Sequence, residues 1–356
     1  MKICITGICG FVGCSLATQL RSSIEGIVVY GIDSLVRPGS ERNRLRLRDL
    51  GCKVYHGDIR QRSDLELLPQ TDWVIDAAAN PSVLAGISGS ASSQQVVEHN
   101  LLGTINILEF CRRHRAGLIL LSTSRVYSIA QLSRLSLREE QTRFVYAERA
   151  GSVDGVSAEG ITETFSTAPP VSLYGATKLS SEVLALEYGH AFDFPVRINR
   201  CGVIAGAGQF GTAEQGIFSY WIHSWRAARR LRYIGFDGSG RQVRDALHPT
   251  DLGRLVIHQL NSGDRSEPDQ VWNIGGGREN SMSLAELSAW CTQRFGHQQI
   301  EPDLKPRAYD LPWVIIDSGK ALNRWNWKPA VKMESILEEI ANHAEKNPEW
   351  LMLSGA

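Results

Sequence analysis

Residues 2–13 read KICITGICGFVG, an apolar run that stops at Gly7 and then carries Gly10 and Gly13 at intervals of three. The helix-length segment VGCSLATQLRSS (12–23) follows at once. A glycine triplet by itself is weak. Between a strand and a helix it becomes the first turn of an α/β unit, where a backbone without side chains approaches a pyrophosphate at the positive helix N-terminus. The second apolar run, GIVVYGID (26–33), ends in Asp33, 20 residues after Gly13. A carboxylate there accepts hydrogen bonds from both ribose hydroxyls of adenosine and repels a 2′-phosphate, so it favours NAD over NADP. Arg37 lies close enough to soften that preference without reversing it. Asp58, in HGDIR, either reaches the adenine or caps a helix N-terminus.

The alternation continues. CKVYHGD (52–58) and DWVIDAA (72–78) are strand-like, SQQVVEHNLLGTINILEFCRRH (93–114) has apolar residues at helical spacing, and GLILLSTS (117–124) is an apolar strand ending in hydroxyls. Continuous apolar strands separated by helices imply a parallel sheet covered on both faces. Residues 129–171 break the rhythm and read as a long loop or insertion. A helix carrying SLYGATK (172–178) and a strand in FPVRINRCGVIAG (194–206) resume it. Beyond about residue 205 the pattern is mixed, and MESILEEIANHAEK (333–346) closes the chain as an amphipathic helix.

Composition narrows the function. The chain has 38 basic and 38 acidic side chains, which argues against a nucleic-acid binder. Apolar runs are too short for a bilayer and the N-terminus lacks signal-peptide features, so the expectation is a cytoplasmic protein away from membranes. Seven scattered cysteines suit neither a disulfide framework nor a metal knuckle, and no metal is expected.

Tyr174 and Lys178 stand four residues apart, about one helical turn, on one face. Spacing alone does not make them a working pair. Together with Gly7, Gly10, Gly13, Asp33, GDIR and LSTSRVY (121–127), however, the chain resembles the extended short-chain dehydrogenase/reductases, the nucleotide-sugar epimerases and dehydratases. GRQVRDALHPTDL (240–252), NIGGG (273–277) and RAYDLPWVIID (307–317) extend the likeness over nearly the whole length. Within that family DSLVRPGSERN (33–43), RVYSIAQLSRLSLREEQTRF (125–144) and AGAGQFGTAEQG (205–216) are most similar to the CDP-tyvelose (CDP-paratose) 2-epimerases.

The resemblance implies a Rossmann-type doubly wound parallel sheet with a smaller C-terminal α/β lobe. Residues 1–204 and about 238–273 would form the NAD domain, and 205–237 with 274–356 the nucleotide-sugar lobe. It implies that Tyr174 is the catalytic acid or base, that Lys178 binds the nicotinamide ribose, and that Thr123, with Ser124, holds the reacting sugar. Bringing a phenol from about 10 to about 7 needs roughly 4 kcal/mol of differential stabilisation, which an ammonium and a cationic nicotinamide supply together. The cofactor set extends to Phe11, Val12, Ile59, Ala78, Asn100 and Cys201. Arg244 and Arg307 would bind substrate phosphate, for which a guanidinium fork is suited, with Asp310 on the nucleoside ribose.

The family's 4,6-dehydratases carry Asp-Glu after the strand-end Thr, because eliminating water needs an acid and a base. Here Ser124-Arg125 stand there, which speaks against dehydration. Epimerisation needs one base, one hydroxyl-binding residue and a retained NAD that takes a hydride and returns it to the other face. A 4-epimerase, another sugar-nucleotide oxidoreductase and a non-catalytic NAD-binding scaffold are the alternatives. Ser128, Val203 and Pro312 depart from the family pattern around the substrate lobe, and Thr142, Arg143 and Glu163 in the insertion are unranked candidates for the sugar. The segment 93–114 and the Tyr174 helix resemble the pairing helices of the family, so a homodimer or homotetramer is expected.

Overall fold

A computed structural model describes residues 1–87, 92–148, 153–262 and 269–356. Two compact units result. The first joins Met1–Val126, Leu173–Cys201 and Pro249–Trp272; the second joins Tyr127–Ser172, Gly202–His248 and Asn273–Ala356.

The first unit is built on a seven-stranded sheet. Its strands are β1 (Lys2–Thr6), β2 (Val28–Asp33), β3 (Lys53–His56), β4 (Trp73–Asp76), β5 (Gly117–Thr123), β6 (Val196–Cys201) and β7 (Val271–Ile274), in the order β7-β6-β5-β4-β1-β2-β3. Neighbours from β6 to β3 run parallel. The order reverses between β1 and β4, and in such sheets ligands bind beyond the carboxyl ends of the strands at that reversal. Ile3, Ile5, Val74, Leu118, Leu120 and Ile198 are at most 1% exposed, as strands covered on both faces require. Helix α1 (Phe11–Ser23) follows the glycine turn directly, and α2 (Ser172–Phe192) carries Tyr174 and Lys178.

The segment 93–114 is helical throughout but not uniform. Ser93–Val97 begins with a Ser92/Gln95 capping box, Glu98–Leu102 forms a wider turn, and Gly103–His114 completes the helix. The buried Asn100 lies in that wider turn.

The insertion is not an open loop. It forms a short helix (Ile129–Leu132) and two hairpins, Leu137–Glu139 with Phe144–Tyr146 and Val156–Ser157 with Gly160–Ile161; residues 149–152 lie outside the described residues. Its backbone is spoken for by later chain: Phe144 N–H donates to the Arg241 carbonyl at 3.0 Å and Ile161 N–H to the Ile315 carbonyl at 2.8 Å. Residues 127–172 and 238–248, expected with the sheet, therefore cluster in the second unit. There the strand Val243–Leu247 pairs with Val203–Ile204, Ser281–Ser283 and Trp313–Val314.

In the second unit, helices Ile217–Arg226 and Met333–Lys346 pack Trp221, Trp225, Ile336 and Ile340 into one core. They also bring His343 Nδ1 to 3.3 Å from His223 Nε2. Burial, with the neighbouring His343, pushes the His223 pKa down to about 3. An imidazole whose folded pKa lies below its unfolded value leaves the unfolded chain binding more protons between the two. Its contribution is therefore complete above about pH 6.5 and is lost as pH falls. Urea unfolding followed by tryptophan fluorescence is expected to show stability level near pH 7.5 and declining below about 6.5, by up to about 1.4 kcal/mol per pH unit for this group. In His223→Gln that decline is expected to flatten.

Candidate active site

The glycine turn admits no side chains. Gly7 has φ +62°, and a Cβ there would lie 2.9 Å from the Ala78 Cα; a Cβ on Gly13 would lie 2.3 Å from the Gly7 carbonyl oxygen. Gly10 caps α1 without a side-chain bond, and the first turn carries no acidic residue. The positive helix end is thus left to an anion. Phe11 and Val12, the first two helical residues, are half-buried at this end.

Asp33 braces the same turn. Its carboxylate accepts from the Cys9 N–H and from the Leu35 N–H, each at 2.8 Å. Burial raises its pKa, and these backbone donors oppose the rise. Arg37 is half-buried in the loop that follows, and burial lowers its pKa. Asp58 is not a helix cap: the helix Arg62–Glu66 is capped by Gln61. The Asp58 carboxylate is held instead by the Arg60 guanidinium at 2.6 Å and by the Arg60 N–H at 2.9 Å. Burial raises its pKa, but these Arg60 contacts outweigh it and the net shift is downward. Ile59 beside it is buried.

Ala78 seals the back of the glycine turn, its N–H donating to Thr6 Oγ1 at 3.2 Å. Asn100 fixes the chain after β4: its Oδ1 accepts from the Asn80 N–H at 2.8 Å and its Nδ2 donates to the Asn80 carbonyl at 3.0 Å. Both ends of its amide thus hold the Asn80 backbone. Cys201 ends β6 in register with Thr123, and burial pushes its thiol up to about 12, which leaves it unreactive.

Thr123 closes β5, and Ser124 opens the single turn that follows, Ser124–Val126. The Thr123 hydroxyl accepts the Arg125 N–H at 3.2 Å, and Thr123 lies beside the Tyr174 phenol. Burial raises the phenol's pKa above its ordinary value, while Thr123 and the Arg125 charge pull it down. Lys178, one turn along α2, is 2% exposed. Burial lowers its pKa, and Asp76 and Glu182 counter that. A phenol, an ammonium and a hydroxyl thus share one buried place within the first unit.

Glu182 and its partners Arg200 and Ser122 escaped the sequence reading. A third polar residue at the same four-residue interval as Tyr174 and Lys178, and an arginine inside the apolar strand VRINRC, were the available signals.

In the second unit Arg244 Nη2 donates to Asp310 Oδ1 at 3.1 Å, both side chains being largely buried. Burial lowers the Arg244 pKa, Asp310 and Asp245 raise it, and the nearby positive charge of Arg307 lowers it further. Thr142 and Arg143 are structural: Thr142 Oγ1 donates to Glu286 Oε1 at 3.0 Å and Arg143 Nη2 to Ser281 Oγ at 2.7 Å, which ties the hairpin down. Glu163 accepts the Asn273 N–H at 2.6 Å.

The NAD dependent epimerase/dehydratase family model matches residues 3–275. The chain belongs to that family. It is 28% identical to the CDP-paratose 2-epimerase of Salmonella typhi over 96% of this chain and 98% of that one. It is also 28% identical to a dTDP-glucose 4,6-dehydratase of an Actinoplanes species, over 98% and 99%. A UDP-glucuronic acid 4-epimerase from Bacillus cereus, solved with UDP-glucuronic acid and NAD, superposes with a TM-score of 0.77 at 25% identity, covering 97% of this chain and 99% of that one. NAD is the cofactor of the family, and the glycine turn and Asp33 fit it. Gly13→Ala is expected to weaken NAD binding at least about 100-fold, since a Cβ 2.3 Å from a carbonyl oxygen must displace the turn; calorimetric titration of folded protein measures it.

Proposed function

We propose that the chain is an NAD-dependent epimerase of a nucleotide-activated sugar, and that its substrate is CDP-paratose, inverted at C2 to CDP-tyvelose. The observation that carries the class is the buried set of Thr123 at the end of β5 with Tyr174 and Lys178 one turn apart on α2. The substrate rests on the likeness to the Salmonella typhi enzyme over almost the whole of both chains. Dehydratases are comparably similar, but Ser124 and Arg125 offer no carboxylic acid and carboxylate for removing water. A second reading, inversion at C4, is supported by the likeness to the Bacillus cereus 4-epimerase.

When bound, NAD supplies a reversible acceptor for the hydrogen of the inverted carbon and a positive charge on its nicotinamide. Everything else falls to the protein. Tyr174 takes the proton of the sugar hydroxyl and later returns it, with Thr123 hydrogen-bonding the same oxygen. Because burial holds the phenol protonated, Thr123 and the charge of Arg125 matter: they favour the phenolate at the moment it forms. The glycine turn and Asp33 hold the dinucleotide, with Asp58 and Ile59 towards the adenine. Arg244 and Arg307 would take the substrate pyrophosphate and Asp310 its ribose.

Exposed apolar residues on the two surface helices, Val97 (41%) and Leu102 (43%) on one, Leu173 (41%) and Val183 (54%) on the other, support pairing into a homodimer. No helix among the described residues is long and apolar enough to cross a membrane.

Incubation with CDP-paratose, followed by NMR of the product, is expected to show CDP-tyvelose. An untouched substrate alongside inversion of a UDP-, GDP- or dTDP-sugar would replace the substrate and keep the class. Tyr174→Phe is expected to lower kcat about 1,000-fold with KM within about threefold. A residual rate within about fivefold of the parent's would remove Tyr174 from the chemistry.

A further inference from the structure

Tyr174, Lys178 and Glu182 recur every four residues along α2 and lie on one face. Glu182 is buried, and its carboxylate is gripped from two strands. Arg200 Nε reaches both of its oxygens at 3.1 Å, Arg200 Nη2 reaches Oε2 at 2.7 Å, and the Ser122 hydroxyl donates to Oε1. The side chains of Arg200 and Glu182 are only 9% and 3% exposed. In the sheet Arg200 stands opposite Ser122, and the next pair in register is Cys201 opposite Thr123. Each anchor of Glu182 is therefore the immediate chain neighbour of a residue at the site.

Stability is not a sufficient reason for such a pair. Replacing a buried ion pair by apolar side chains of similar volume is often neutral or stabilising, because both charges escape their desolvation cost. What apolar packing lacks is direction. A carboxylate held by a fork on one strand and a hydroxyl on the next fixes both the rotation and the height of the helix that bears it.

Resting on the epimerase reading above, we propose that Glu182, clamped by Arg200 and Ser122, is a positioning residue for the reaction: it holds the face of α2 so that Tyr174 stays beside Thr123 and Lys178 stays at the strand ends. The groups facing Tyr174 are Thr123 and Arg125 from the end of β5 and Cys201 from β6; those facing Lys178 are Asp76 from β4, Cys201, and Glu182 on its own helix.

The test removes the clamp without changing net charge, in the NAD-loaded double variant Glu182→Met/Arg200→Met. The chain has nine tyrosines, so Tyr174 is read as the phenolate absorbance of each protein minus that of its Tyr174→Phe counterpart, from about pH 6 to 12. Displacement of the phenol from Thr123 is expected to move this titration up by about one pH unit, with the melting temperature within a few degrees of the parent's. On the nucleotide sugar, kcat is expected to fall about 100-fold with KM within about threefold. A folded double variant whose Tyr174 titrates where the parent's does, with kcat intact, overturns the proposal. Should the double variant not fold, Ser122→Ala keeps the ion pair and removes one anchor. A smaller upward shift then supports the proposal, and no shift overturns it. A parent whose Tyr174 titrates above about 10 with NAD bound overturns the base role itself. The displacement between parent and variant still decides the role of Glu182.

Discussion

Lys178 sits 2% exposed in the middle of an α/β sheet unit, and an ammonium there is stable only if carboxylates answer it. Asp76 and Glu182 do so, and each is itself held in place. Asp76 accepts from Thr6 at 2.6 Å and from Thr104 at 3.4 Å; Glu182 is fixed by Arg200 and Ser122. The charge on α2 thereby ties together the carboxyl ends of β1, β4, β5 and β6, the edge at which this class of sheet binds its ligands. Tyr174 draws on the same arrangement. Its burial alone would keep the proton on the phenol, and the groups that oppose this lie at the end of β5.

The glycine turn and Asp33 of the first unit fit NAD, the cofactor of the family. Gly7 and Gly13 leave no room for a Cβ, and Asp33 stabilises the turn by accepting its N–H groups while remaining the acceptor that suits a free 2′-hydroxyl. The Asn100 side chain holds the Asn80 backbone, and the Ala78 N–H is held by Thr6, so both brace the chain beyond β4. In the second unit the Arg244–Asp310 pair shows the same economy: a guanidinium neutralised on one side by protein, with Arg307 adding a second positive charge nearby.

Much of this was legible in the sequence. The strand, glycine turn and helix at the N-terminus need no tertiary information, because the spacing of Gly7, Gly10 and Gly13 and the 3.6-residue pattern after them specify the local fold. The hydroxyl-ending strand and the Tyr174–Lys178 interval were equally visible. The division of the chain was harder, since 129–171 reads as a long loop or insertion until its backbone bonds to Arg241 and Ile315 are known, and those partners lie about 100 or more residues away. Asp58 also resisted, because an Asp before a short helix signals a cap, although here the helix begins only four residues later. The contacts of Thr142 with Glu286 and of Arg143 with Ser281 could not be read from the sequence, since each spans more than 130 residues.

The central claim is that Tyr174, Lys178 and Thr123 work one carbon of a nucleotide sugar through direct removal and return of its own hydrogen. The measurement that meets it most directly uses CDP-paratose carrying deuterium at C2, with the NAD-loaded protein in ordinary water. Product inverted at C2 that keeps the deuterium at that carbon is the predicted result. Inverted product whose label has been lost to water would contradict the account, because it would place a proton abstraction from carbon where the structure is read as supporting oxidation and reduction.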